Sequence, residues 1–413
     1  MKRKKKRKKV HPAGEEYFEF PVGCGMVKLK ATGDVLTPYG GLVPWSAFLE
    51  KTGIVKTLVE TCPVRRVSPN AARVFDVVQT FLFAAVCDGK RFVHINRLRE
   101  DEAAREVLGM ARVCGDDTVR RFFGSIGEKE GAQWIAWVMR RIWRALPGEG
   151  LVIDWDSTVQ TKYGHQEGAA VGYNPQKRGR KSFHPLLGVA AGTRLCTYYR
   201  FRRGDTVTAS EWDEAASESQ RWLEGKAKVW LNRGDKALAS EAVMAWHEVD
   251  EDRPHYLFKL TDLPPEEASP WQVADLYRKR ADAENVLDEL KNQWGFNGFT
   301  SGCRAVSAMA ARLLLVAYNL WNLFMRLMCP ARHLEAAGGR RWFLLIAARL
   351  TKSARQWTLQ MSTKGNWWRL LQAGYRRLCA WLKATAPQLD FGANKIDLSP
   401  LISCQIPAPN CAF

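Results

Sequence analysis

Acidic side chains are in deficit in this 413-residue chain, where 43 Asp and Glu stand against 62 Lys and Arg for a net charge of +19. An excess of that size excludes an electrostatically indifferent surface and calls for a polyanionic partner, nucleic acid ahead of an anionic membrane. Zinc-type cysteine spacing is also lacking. The ten cysteines contain no C-x-x-C pair and no Cys/His block, so free buried thiols in a reducing compartment are expected. A long clean apolar run is missing as well. The most apolar stretch, Leu313 to Met328, carries Asn319, Asn322 and Arg326, which fits a buried helix and not a membrane span. The basic start passes into polar and turn residues with no apolar segment behind it, unlike a signal peptide. These absences place the chain in the cytoplasm, nucleoid-associated if its partner is DNA. What is present is a hydrophobic content of 46%, enough for a large core divided into two or three domains. Seventeen tryptophans among the cations suit base stacking, although most serve a core equally well.

In chain order, Lys2 to Lys9 is an unbroken basic run that reads either as a DNA-contacting arm or as a solubilising tail. From about Leu42 to Leu146 the pattern is helical, with a core helix expected over Ala71 to Val86. Asp117 has the character of an N-cap opening a helix at Thr118, with Arg120 and Arg121 exposed. Such a helix could read DNA in the helix-turn-helix manner or be an ordinary surface helix.

At Leu151 the texture changes. LVIDWDST is a strand whose period of two sets Val152, Asp154 and Asp156 on one face. Two carboxylates on one face of a buried strand repel each other unless a metal, or a pair of arginines, neutralises them. A basic loop follows, YNPQKRGRK, with Lys177, Arg178, Arg180 and Lys181. Strands are then expected over Phe183 to Ala191 and Leu195 to Phe201, joined by a Gly192-Thr193 turn. Next come a helix over Ser210 to Leu223, a strand at Val229 to Leu231 running into Arg233-Gly234-Asp235, a helix over Ala239 to Trp246, and a strand over His255 to Leu260. Finally YRKRADAENVLDELK, Tyr277 to Lys291, reads as one helix. At about 100° per residue it gathers Tyr277, Arg280, Glu284, Asp288 and Lys291 within roughly 80° of arc. Leu276, Ala283, Val286, Leu287 and Leu290 form the side to bury. The order of three strands, helix, strand, helix, strand, helix predicts an α/β, RNase H-like core, a mixed five-stranded sheet with helices, flanked by α-helical N- and C-terminal regions. The C-terminal stretch from Gly302 to about Pro387 reads as helical and basic, with a loosely ordered tail behind it.

Tyr277, Arg280, Glu284 and Lys291 reproduce the spacing Y-(2)-R-(3)-E-(6)-K, which resembles the glutamate-helix signature of bacterial insertion-sequence DDE transposases. Asp156-Ser157-Thr158, the Gly172 to Leu187 stretch GYNPQKRGRKSFHPLL, and Arg233-Gly234-Asp235 extend the likeness. The resemblance implies a basic arm and lead-in at 1–34, a helical DNA-end-binding domain at 35–148, a catalytic core at 149–300, a helical region at 301–387 and a tail at 388–413. It implies that Asp156, Asp235 and Glu284 are catalytic metal ligands for two Mg²⁺ (or Mn²⁺) ions, with Asp154 the other candidate for the first position. It further implies that Tyr277, Arg280 and Lys291 clamp the transposon-end backbone. The expected partners are double-stranded DNA, as terminal inverted repeats and target, and a second copy in a homodimer within the DNA complex, with no membrane. The expected reaction is cleavage of transposon-end phosphodiesters and strand transfer into target DNA. An impaired copy that binds ends without cutting them, or a related nuclease, are the alternatives. Members of this group usually carry a sizeable, mostly β insertion before the glutamate helix; here only Thr261 to Pro270 stands in that place.

Overall fold

In a computed structural model the residues described are 17–66, 68–146, 150–238, 255–257, 270–354, 356–362 and 367–384. The basic run at Lys2 to Lys9, the expected helix at Ala239 to Trp246, most of Thr261 to Pro270 and the C-terminal tail lie outside them.

The architecture is mixed α/β. Its central sheet has five strands in the order His255–Leu257, Val229–Gly234, Leu151–Ser157, Leu186–Ala190, Leu195–Arg200. The last three form an antiparallel meander, and the first two are parallel to Leu151–Ser157. The acid-bearing strand is therefore in the middle, flanked on both sides. The expected strand over Phe183 to Ala191 is interrupted at His184-Pro185. Proline has no N–H to give a ladder. Lys181–Phe183 accordingly pairs in a separate three-stranded sheet with Gln160–Thr161 and Ala170–Val171, while Leu186–Ala190 joins the central sheet.

The C-terminal region is not purely helical, contrary to the sequence pattern. Ala348–Ser353 and Gln356–Met361 form a hairpin, and the hairpin adds Val35–Thr37 as a third strand. Its alanine, arginine, lysine, leucine, glutamine and methionine residues suit a helix by propensity. The turn at Ala354 (φ 51°) and pairing with a strand distant in sequence override that preference.

The helix Arg304–Met328 joins the parts. Every residue from Val306 to Met328 is buried, because the helix packs against Val74–Val86, Asp116–Gly124, Glu128–Ile142, Trp367–Ala384 and the strand Leu195–Arg200. By length and composition it could cross a membrane, but its whole apolar window is covered by protein. Its polar residues have specific partners. Leu195–Arg200 is an edge strand, so the outward N–H and C=O of Cys196 need partners beyond the sheet. Asn319 supplies both, accepting from the Cys196 N–H at 2.8 Å and donating to its carbonyl at 2.8 Å. Arg326 donates to the Thr193 carbonyl in the preceding turn. Asn319→Leu should therefore strand the buried Cys196 N–H, while the carbonyl keeps the Trp143 Nε1 donor at 3.2 Å, and lower stability by about 1–3 kcal/mol. Denaturant unfolding checks this; a change within experimental error would show that the edge finds other partners.

Candidate functional site

The side chains of Asp154 and Asp156 share a face of the central strand, as the period of two requires, but their environments differ. Parallel pairing sets Arg233 opposite Asp154, and its guanidinium grips the carboxylate in two-pronged fashion, Nε to Oδ1 at 2.6 Å and Nη2 to Oδ2 at 2.9 Å. Both side chains are sealed, at 0% and 3% exposure. Burial pushes the Asp154 carboxyl up to about 6 against the downward pull of Arg233. Asp154 is thus a charge already matched and closed off from ligands. Asp156, two residues on, opens onto a cavity of about 400 Å³ that it lines with Ser157, Thr158, Tyr173, Asn174, His184, Asp235 and Lys291.

Asp235 reaches the same cavity by register. Gly234 pairs with Trp155, so Asp235, just past the end of its strand, follows beside Asp156 on the neighbouring parallel strand at about 4.8 Å strand spacing. Burial pushes the Asp156 carboxyl up to about 6; Arg280 pulls it down, while Glu284 and Asp235 push it further up. The acids are therefore close enough to feel one another.

The stretch Tyr277 to Lys291 is not one helix. Pro270–Arg278 ends, Lys279 and Arg280 turn, and Ala281–Gln293 begins with Arg280 as its N-cap. The arc that joined Tyr277 to Glu284 does not survive the break, and Tyr277 rides on the separate preceding helix. Glu284, Asp288 and Lys291 do share the second helix, and Ala283, Val286, Leu287 and Leu290 are its buried side, as the pattern predicts. The break gives Glu284 a place in a first turn, where the positive end of the helix favours an acid. It also buries Arg280 (8% exposed) at the site. One Arg280 nitrogen, Nη2, donates to Glu284 Oε1 at 2.7 Å, and Nη1 lies 3.7 Å from Asp156 Oδ2. Of the two ways to neutralise paired aspartates, this structure shows the arginines. Arg280 Nη1 is buried with no hydrogen-bond partner among the described residues. Lys291 lines the cavity; burial lowers its pKa, while Asp156 and Asp288 draw it upward.

Lys177, Arg178 and Arg180 are exposed in the basic loop and Lys181 is exposed at the start of the strand that follows it; the base of the loop enters the cavity at Asn174 to Gln176. Arg120 and Arg121 line a different surface depression, with Gly124, Cys303 and Val306. Their helix starts at Asp116 after Gly115 rather than with an Asp117 cap. Arg120 is folded back onto Asp116 and Asp117 at 2.6 Å each, while Arg121 is exposed. Two residues at the site escaped the sequence pattern, His184 on the cavity wall and Arg233 in the sealed interior beside it. His184 is buried, donates from Nδ1 to the Thr206 carbonyl (2.9 Å) and hydrogen-bonds Ser157 Oγ through Nε2 (3.1 Å), and its pattern signal is a His-Pro break inside a strand pattern. Arg233 pairs with Asp154 through a register that no local pattern encodes.

The donor set around Asp156 is of hard carboxylate oxygens, the type Mg²⁺ prefers, and although burial is the main upward push on Asp156, Glu284 and Asp235 add a smaller repulsion that a divalent cation would relieve. The residues fit such an ion in kind. Among the described residues, however, no three acidic, His or Cys side chains lie close enough together to hold one as they stand.

The two aspartates should separate by stability. Arg233→Leu leaves Asp154 buried and uncompensated, and should cost about 3–5 kcal/mol. Asp156→Asn should be neutral or stabilising in chelator. Because the folded pKa of Asp156 is raised from 3.8 to about 6, its protonated form favours folding at low pH, and that contribution is lost as pH rises through about 6. Wild type should thus lose stability relative to Asp156→Asn between about pH 4 and pH 6. Parallel pH–denaturation profiles for the two would exclude this assignment.

No curated protein matches the sequence. Among solved structures, a cryo-EM structure of piggyBac transposase in a synaptic complex with hairpin DNA is 14% identical, with a TM-score of 0.37, covering 92% of this chain and 89% of that one. The family model described as "Transposase DDE domain group 1" matches residues 21–263 and 254–381. The chain belongs to the group 1 DDE-domain transposases.

Proposed function

We propose that this protein is a DNA transposase that cleaves transposon-end phosphodiesters and transfers the strand into target DNA, using an RNase H-like core with Asp156, Asp235 and Glu284 as its acids. The observation that carries the reading is the convergence of Asp156 and Asp235 from adjacent parallel strands onto one cavity, with Lys291 on its wall and Arg280 spanning Asp156 and Glu284. The family assignment gives that convergence its chemistry. The burial of Asp154 against Arg233 supports Asp156 over Asp154 as the first ligand.

Each group has a task that its surroundings suit. Asp156, Asp235 and Glu284 would hold Mg²⁺ or Mn²⁺ through carboxylate oxygens. Bound there, the metal would supply Lewis-acid activation of the attacking oxygen and stabilisation of the leaving oxygen. Arg280 offers a phosphate oxygen the buried Nη1 that has no acceptor among the described residues, and a guanidinium suits bidentate phosphate contact. When Arg280 turns to phosphate, Glu284 is released from its 2.7 Å ion pair. Lys291 reaches the same phosphates from the cavity wall, and Tyr277 reaches the backbone from the preceding helix. Lys177, Arg178 and Arg180 on the exposed loop with Lys181 just after it, and Arg121 with Arg120 on the separate depression, would extend the track along the duplex. Two copies would pair the two ends as a homodimer.

A second reading is favoured by one feature: Arg280 engages Glu284 at 2.7 Å, and among the described residues no three such side chains cluster closely enough to hold a metal. A copy locked in that state would bind ends without cutting them. Where group members usually carry their β insertion, this chain has only Thr261 to Pro270, and a copy so shortened should form hairpins weakly at the cut end.

Mg²⁺-dependent cleavage of a duplex carrying the element's terminal repeat tests the proposal. Wild type should cut and join. Asp156→Ala, Asp235→Ala and Glu284→Ala should each reduce cleavage by about 10³-fold or more, with end binding retained in a mobility-shift assay. A wild type that binds ends without cutting supports the second reading, and cutting without joining identifies a nuclease.

A further inference from the structure

Two tyrosines beside the acid cavity are far more exposed than such large rings usually are: Tyr173 at 72% and Tyr163 at 70%. Neither belongs to the signature residues, and each is held by an anchored backbone. Gly172, before Tyr173, packs so tightly on Gly204 that a Cβ would lie 2.0 Å from its carbonyl oxygen. Asn174, after it, is buried, donates to Thr161 Oγ1 at 3.0 Å, and accepts the Lys177 N–H at 3.0 Å. Tyr163 follows Lys162, which is buried and donates to the Asn297 carbonyl at 3.0 Å.

The small sheet brings the two tyrosine-bearing segments out at one end. Gln160–Thr161 and Ala170–Val171 both run antiparallel to Lys181–Phe183, so they run parallel to each other on either flank of it. Tyr163 and Tyr173 each lie two residues past the end of their strand and leave the sheet at the same end, from strands roughly 10 Å apart. Cations cover one of them. Lys177 Nζ and the Arg180 guanidinium each lie 5.8 Å from the Tyr163 ring centroid. Tyr173 lines the same cavity as Asp156 and Asp235.

Exposed rings on a rigid support, interleaved with cations, are the arrangement that stacks unpaired bases while cations take the backbone. A paired duplex offers its bases no such face, because they are already stacked on each other. We infer that Tyr173, with Tyr163 and its covering cations beside it, forms a stacking site for unpaired nucleotides adjoining the phosphate that enters the acid cavity. The inference rests on the transposase reading for the identity of that phosphate. The substrate it names is an end that is locally single-stranded at the cut. Tyr173 acts here by positioning the strand and takes no part in bond making.

The test compares binding of a blunt duplex with the same duplex carrying a short single-stranded extension that contains 2-aminopurine. Wild type should bind the extended duplex more tightly and change the fluorescence of the 2-aminopurine. Tyr173→Ala should weaken binding of the extended duplex by roughly tenfold or more, remove the fluorescence change, and leave blunt-duplex affinity, its salt slope and the thermal midpoint unaltered. Tyr173→Phe should retain the preference, because stacking needs the ring and not the hydroxyl. Equal wild-type affinity for both duplexes, or a Tyr173→Ala variant that keeps the preference or loses blunt binding equally, would overturn the inference and leave the transposase reading standing. Failure of wild type to bind either duplex would instead overturn the transposase reading.

Discussion

Asp154 and Asp156 project from the same face of a strand in the middle of a sheet, and holding two carboxylates there is the constraint the surrounding structure answers. Unmatched, they would repel each other and resist burial. The structure gives each an arginine, but of different kinds. Arg233 comes from the neighbouring strand and closes on Asp154 with both prongs in a dry interior. Arg280 comes from a helix break and touches Asp156 loosely, at 3.7 Å. The tight pair fixes the strand register that brings Asp235 to its place. The loose pair leaves Asp156 facing a cavity.

How much of this is legible from residues alone depends on how local its cause is. The strand bearing the acids and the buried side of Ala281–Gln293 follow from periodicity, which is a property of a few consecutive residues. The break at Lys279-Arg280 does not, because helix propensity is satisfied throughout YRKRADAENVLDELK; the turn is favoured by what Arg280 reaches, not by its neighbours in sequence. The same holds for Arg233, whose role exists only through a parallel register with a strand some eighty positions earlier. The C-terminal hairpin likewise owes its existence to Val35–Thr37, more than three hundred positions away.

The long helix Arg304–Met328 explains how distant parts of the chain hold the site steady. It is packed on all sides, and its few polar groups serve the sheet: Asn319 completes an edge strand, and Arg326 holds the turn before it. Helices from the first and last thirds of the chain pack around it in one continuous core. The meander that carries Asp156 is therefore braced at its far edge, while the cavity side keeps exposed tyrosines, exposed cations and an arginine with an unused donor.

The central claim is that Asp156, Asp235 and Glu284, and not Asp154, share a divalent cation. Iron(II) substituted for Mg²⁺, with ascorbate and peroxide, cuts a polypeptide next to where the metal sits. The account predicts cuts confined to the neighbourhoods of residues 156, 235 and 284, suppressed by excess Mg²⁺ and absent in Asp156→Ala but retained in a folded Asp154→Asn variant. Cuts elsewhere in the chain, or the same cuts undiminished in Asp156→Ala, would contradict it.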